Sequence, residues 1–544
     1  MPDDPGPSQP RFLDPKSVAG KAPVVSETID LLVVGAGKAG LRAAIEAASA
    51  GIQTVLVDEN PVSHETMGEE VPRHFGQAMS GATRNRNAMI EAFVASEPLF
   101  EAAFEAGVDI RLGTACWGLY AKGPALRHLP GLVAGLVDAT AAMLVAPRRV
   151  IVATGRRDMG LGFPGWHLPG VMGASAARLL VERHAGALDA KRVVVLGSDT
   201  EALLTALALA GQGITVAAII EQAERPVAPA DLVALVKQAG IPILCRSVVR
   251  EALGRERVEG AMIGTLDTEG IPTGAETRLG CDGIVLAVGA VPMIDLLQAA
   301  GAACRFDPDR GGHVPVIDAN GRTSLPDVFA IGDCAGIWPE KSRDSAVAEA
   351  EARRAVDAIT GRDSAKPALA PPCAEIDVST YRKAWLRASV IHARAEFPLC
   401  QCEEATARDL LELRPPRYIG WEGQMPEAHS LAALLAAGPP DPDQLKRMAR
   451  AGMGPCQGRR CREQIATLLA LEADADLAAV PLASYRAPVR PLPLALAGLI
   501  GEAPLQTEHW DSWFGMHAQW RPFWEVQEHF TLAGNDTSGE VASE

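Results

Sequence analysis

The run Gly35-Ala36-Gly37-Lys38-Ala39-Gly40 follows a short apolar stretch, Asp30 to Val34, and opens an Ala-rich segment, Leu41 to Ala50. That order is strand, tight turn, helix. The three glycines do different things: Gly35 permits the turn, Gly37 lets the backbone approach a pyrophosphate, and Gly40 lets the helix pack on the strand. The helix N-terminus then faces the anion. A second strand, Thr54 to Val57, ends at Asp58, where an acid accepts a ribose hydroxyl, and Glu59 follows it into the same candidate cofactor site. These residues predict a parallel α/β dinucleotide-binding domain.

A second unit repeats the pattern with altered chemistry. The strand Arg192 to Leu196 leads into Gly197-Ser198-Asp199-Thr200-Glu201-Ala202, then a helix, then Thr215 to Ile220 ending at Glu221. Asp199 stands where the second glycine belongs and puts a carboxylate, with Glu201 close by, where a pyrophosphate needs positive surroundings. Glu221 still suits a ribose. Two outcomes stay open for this unit: a working NAD(P) site, or a retained scaffold with an altered nucleotide site.

The 544 residues suffice for three to four domains. With 51 Lys plus Arg against 67 Asp plus Glu, the formal charge of -16 repels a phosphate backbone, so nucleic acid is excluded as a partner. The Pro-containing residues 1–28 lack a cationic start and an apolar run and read as a flexible arm, not a signal peptide. The apolar stretch Leu203 to Ile220 is broken by Gly211, Gln212 and Gly213 into a helix and a strand, so no membrane span is expected. Ten cysteines without an export signal point to reduced thiols or metal ligands and a cytoplasmic setting.

Four of those cysteines are paired. Cys400-Gln401-Cys402 and, later, Cys456 and Cys461 within Gly452-Met453-Gly454-Pro455-Cys456-Gln457-Gly458-Arg459-Arg460-Cys461 can supply the thiolates of a 2Fe-2S cluster. Zinc and unligated thiols are the alternatives, although zinc pairs more often have two to four intervening residues. Cys116, Cys245, Cys281, Cys304, Cys334 and Cys373 are isolated, so no redox disulfide is expected beside a flavin. Trp510, Trp513, Phe514, Trp520, Phe523, Trp524 and Phe530 crowd the C-terminal tail and suit packing on the chain itself, a subunit interface or a substrate pocket.

Arg149-Val150-Ile151-Val152-Ala153-Thr154-Gly155 and the run from Thr323 to Asp333 resemble two motifs of flavoprotein reductases with two dinucleotide domains. The resemblance implies FAD. It places Thr154 and Gly155 against the flavin domain and Asp333, after Gly332, on the ribitol chain. The cysteine pattern looks like the small helical 2Fe-2S domain related to bacterioferritin-associated ferredoxin, as fused to alpha subunits of opine oxidase, hydroxyproline dehydrogenase and hydrogen cyanide synthase. Phe163-Pro164-Gly165-Trp166, Leu168-Pro169-Gly170-Val171, Arg305-Phe306-Asp307-Pro308 and Ala451 to Cys461 also read like that group, which covers most of residues 29–495. An insertion around Pro415 to Leu435 accounts for the long interval between the cysteine pairs.

What the resemblance implies is a FAD and 2Fe-2S subunit that relays electrons in oxidation of an amine, imino acid or opine-like substrate, and whose partner is a second flavoprotein subunit. His74, Arg84 and Arg86 are the candidate catalytic residues, because family members border the isoalloxazine there and an arginine can hold a carboxylate. A solvated basic loop is the alternative for the arginines. The expected division is 1–28 arm, 29–160 first part of the FAD domain, 161–280 inserted NAD-like Rossmann domain, 281–365 second part of the FAD domain, 366–398 linker, 399–475 2Fe-2S domain and 476–544 tail.

Overall fold

The apolar run ending at Val34 becomes the middle of a sheet. Glu27–Val34 pairs in parallel with Thr54–Asp58 on one side and Ala142–Val152 on the other; Asp109–Leu112 and Val328–Ala330 extend the parallel sheet at its two ends. Strands buried on both faces read as continuous apolar runs, and Leu31, Leu32, Val33, Val150, Ile151 and Val152 are fully or almost fully buried. One face is covered by the helices Lys38–Ser49 and Ser345–Thr360. Val133–Val137 and Ala115–Tyr120 add an antiparallel extension on the N-terminal half of Ala142–Val152. The computed structural model describes residues 20–61, 85–124, 126–184, 187–362, 371, 376–415, 419–420 and 430–503, with the backbone of 73–74 and 77–78.

A second parallel sheet has the order Val171–Gly173, Gly283–Leu286, Arg192–Leu196, Thr215–Ile220, Ile243–Leu244. Both dinucleotide-type units are therefore present. Gly283–Leu286, expected in the flavin segment 281–365, belongs instead to the inserted unit, because a strand buried on both faces needs the two neighbours it finds there. The chain crosses between units where Arg156–Asp158 pairs antiparallel with Ala290–Pro292.

Residues 366–398 are not simply a linker. Val378–Leu386 is a helix with Tyr381, Trp385 and Leu386 buried, a spacing that puts them on one face. That face merges the second unit with a mostly helical region containing Ala407–Leu411, Leu431–Ala437, Pro442–Ala449 and Arg462–Glu472 in one core. Among the described residues no helix is long and apolar enough to cross a membrane. Residues 1–19 of the arm, the side chain of His74, Arg84, Cys373, most of the insertion and the aromatic cluster from Trp510 to Phe530 lie outside the described residues.

Candidate functional site

The first glycine turn has the shape its sequence requires. Gly35 has φ +111°, and a Cβ there would fall 2.3 Å from the Ala153 carbonyl oxygen; one on Gly40 would fall 1.9 Å from the Gly35 carbonyl oxygen. Gly37 faces open space within 4 Å. Two glycines thus close the strand–helix contact, and the third leaves room for a phosphate at the N-terminus of Lys38–Ser49. Asp58 accepts from the Ala36 N–H at 2.6 Å and from the Asn60 N–H at 2.8 Å. Burial raises its pKa, and those donors oppose the rise. Gly332, at φ +68°, packs on Ala39 and brings Asp333 to the same helix end. Thr154 donates to the Met293 carbonyl at 2.8 Å, and Gly155 turns at φ +76°. Asp58, Glu59, Thr154 and Gly35 line one cleft. The open backbone at Gly37, the Asp58 carboxylate and the Gly332-Asp333 turn lie around this one helix end, an arrangement whose chemistry suits a dinucleotide.

The second glycine turn is filled by its own side chains. Asp199 caps the helix Thr200–Gly211, its Oδ1 accepting from the Ala202 N–H at 2.9 Å. Burial, with Glu201 and Glu221 nearby, pushes its pKa up to about 7. Glu221 is buried, and its Oε2 accepts from Ser198 Oγ at 2.6 Å and Tyr381 Oη at 2.9 Å. Glu201 is held by Arg156 at 2.8 Å and Arg178 at 3.5 Å. Carboxylates occupy the positions where a pyridine dinucleotide requires open backbone.

All four paired cysteines converge. Cys400 ends the strand Pro398–Cys400, and Cys461 caps the helix Arg462–Glu472. Cys400 and Cys402 Sγ are 3.9 Å apart, and Cys402 and Cys456 Sγ are 3.5 Å apart. Gly452 N–H points at Cys400 Sγ at 3.4 Å, while the Gly458 and Arg460 N–H groups point at Cys456. A Cβ on Gly454 would lie 2.5 Å from Cys402 Sγ, so the glycine spacing serves close approach. Among the described residues, no three His, Cys, Asp or Glu side chains close on a single metal ion.

Residues 29–356, over half of the chain, match the pyridine nucleotide-disulphide oxidoreductase family. The chain belongs to that family. It is similar to the A-subunit of opine oxidase from Agrobacterium tumefaciens (strain Ach5), 28% identical over 87% of this chain and 92% of that one. It is also similar to hydrogen cyanide synthase subunit HcnB of Pseudomonas aeruginosa, 27% identical over 79% of this chain and 90% of the relative. Among solved structures, L-proline dehydrogenase from P. horikoshii shares the fold with a TM-score of 0.55 at 19% identity, covering 87% of this chain and 80% of that one. This pyridine nucleotide-disulphide oxidoreductase family member is a FAD oxidoreductase. Cys334, beneath the Gly332-Asp333 turn, is free and buried, donates to the carbonyls of Val152 and Ile331, and is pushed up to about pKa 11 by burial, so it does not act as a ready thiolate.

Arg86 begins the helix Arg86–Ala95 and lies against the Gly113 turn, on the Asn60 side of the cleft. Sequence reasoning missed several residues of this oxidoreductase. Arg156 joins Asp333 at 3.2 Å to Glu201, while its neighbour Arg157 bonds the Arg459 carbonyl at 2.7 Å and Glu463 at 2.5 Å on the cysteine side. Alternation along a strand sends adjacent side chains to opposite faces, and the basic pair after Thr154-Gly155 was the available signal. Arg490 returns from the C-terminal segment to pair with Asp295 at 2.9 Å and with Glu59, a contact with no local signature.

Proposed function

We propose that this family member is a FAD and 2Fe-2S subunit, cytoplasmic and partnered by a second flavoprotein subunit, which relays electrons in oxidation of an amine, imino acid or opine-like substrate. When bound, flavin accepts electron pairs and a 2Fe-2S centre single electrons, so together they convert one kind of carrier into the other. The carrying observation is the convergence of Cys400, Cys402, Cys456 and Cys461 on a region fastened to the flavin unit through Arg157.

Their sulfur spacings suit tetrahedral thiolate coordination, for which bonds of about 2.3 Å give an edge of about 3.8 Å. Backbone N–H groups aimed at sulfur favour a thiolate-bound anion. Arg462 Nε and Nη1, buried beside the cysteine loop without hydrogen-bond partners among the described residues, favour negative charge there too. Asp333, Asp58 and the glycine turn hold FAD in this assignment, with Thr154 and Gly155 against it. Arg157 and Glu463 keep the two cofactor regions in register. The substrate class rests on the names of the relatives, the A-subunit of opine oxidase and L-proline dehydrogenase.

Anaerobic purification with iron, sulfide and flavin analysis tests the assignment, followed by NADH, candidate amines and any co-purifying protein. Flavin, about two irons and about two sulfides per chain are expected, with bleaching by amine in the presence of the partner. Folded, full-length protein free of flavin and iron overturns it. Bleaching by NADH would favour a reductase that feeds an external acceptor, the reading Asp199 opposes. Bound nucleotide with no reduction by any amine, with or without the partner, would favour a structural or regulatory subunit.

A further inference from the structure

Between the second glycine turn and the helix Val378–Leu386 lies a cavity lined by both. Its walls include Val227, Val288, Ile337, Trp338 and Val378. Four acids, Asp199, Glu201, Asp309 and Glu340, contribute to its polar lining. Among the described residues Arg382 is the one basic side chain in the lining, and it is committed to the Gly311 and Ala290 carbonyl oxygens at 2.9 and 3.3 Å. Asp199 is half-buried, lines the cavity, and keeps one oxygen beyond its cap contact with no hydrogen-bond partner among the described residues.

We infer that this cavity binds an organic ammonium ion through Asp199 and excludes pyridine nucleotides. A dinucleotide brings phosphate to a helix end already occupied by the Asp199 carboxylate. An ammonium group with an apolar chain meets the opposite conditions: an acceptor in the lining and hydrocarbon on the walls. The proposal needs no turnover, so it stands or falls separately from the assignment of the iron centre.

Calorimetry on the full chain at pH 8, with hexylammonium, hexanol, hexanoate and NADH as probes, tests it. Hexylammonium should bind at least about tenfold more tightly than hexanol or hexanoate, and NADH should give no binding heat. Asp199→Asn should bring hexylammonium down to the level of hexanol, while Val227→Trp, which keeps the charge and fills the wall, should weaken both. Melting curves identify any variant that fails to fold, in which case the probe ranking on the parent chain decides. Binding of NADH by the parent, equal affinity for hexylammonium and hexanol, or full hexylammonium affinity in folded Asp199→Asn overturns the inference.

Discussion

Gly37 and Gly40 lie in one turn and are expected to respond differently to the same substitution. A methyl group at 37 meets nothing within 4 Å and the backbone there is ordinary at φ -74°, so Gly37→Ala should melt like the parent yet retain FAD about tenfold less well through gel filtration. Gly40→Ala forces a Cβ onto the Gly35 carbonyl and should cost about 3 kcal/mol or more in a denaturant titration. A titrating residue can be tested in the same way. Burial holds His313 down at about pKa 4, with its ring nitrogen 3.2 Å from the Val480 carbonyl. Because the folded value lies below the ordinary 6.5, the unfolded chain takes the proton first, so this stability is present above pH 6.5 and is lost as the pH falls toward 4. By pH 5 the loss is about 2 kcal/mol. His313→Gln should flatten that part of the stability profile between pH 6.5 and 4.5, and parallel profiles for parent and variant would refute it. The glycines were legible because their constraint is local; His313 was not, since its burial comes from distant segments.

At the scale of elements, the cysteine loop and the strand Arg156–Asp158 act as one joint. A Cβ on Gly160 would fall 2.2 Å from the Arg460 carbonyl oxygen, and the Gly162 N–H donates to Gln464 at 2.7 Å, so the loop and its helix sit directly on the segment that follows this strand. Arg157 and Glu463 are the charged pair within that contact. Removing one partner strands the other, so Arg157→Met should lower stability by about 3 kcal/mol, and adding Glu463→Gln should restore part of it. An unchanged denaturant midpoint for the single variant would show the joint to be dispensable. Cys456→Ser should leave flavin content intact and reduce iron from about two per chain toward none. The cysteine pairs could be seen in the sequence, because two ligands on one loop are a local pattern. That the two pairs meet was expected from the resemblance, whereas their approach itself depends on how a hairpin and a helix N-terminus pack more than fifty residues apart.

For the whole molecule, both Rossmann-like units, their order and the first glycine turn follow from spacing, while FAD follows from the resemblance. The inserted unit, however, takes Gly283–Leu286 as an inner strand, and the supposed linker contributes a helix that covers the second glycine turn. The C-terminal segment returns to the first cleft, where Val489 bonds the Trp117 carbonyl and Arg490 meets Asp295 and Glu59. Asp295 is held down at about pKa 2: burial alone would raise it, but Arg490, Arg157 and Arg459 outweigh that effect. Residue types at fixed short intervals determined the turns, the alternation of strand and helix, and the pairs of thiols, because those depend on dihedral angles and reach within a few residues. Which pairs share a centre, which carboxylates are already satisfied and which surfaces enclose a cavity were decided only by tertiary structure, because burial and long-range pairing set those energies.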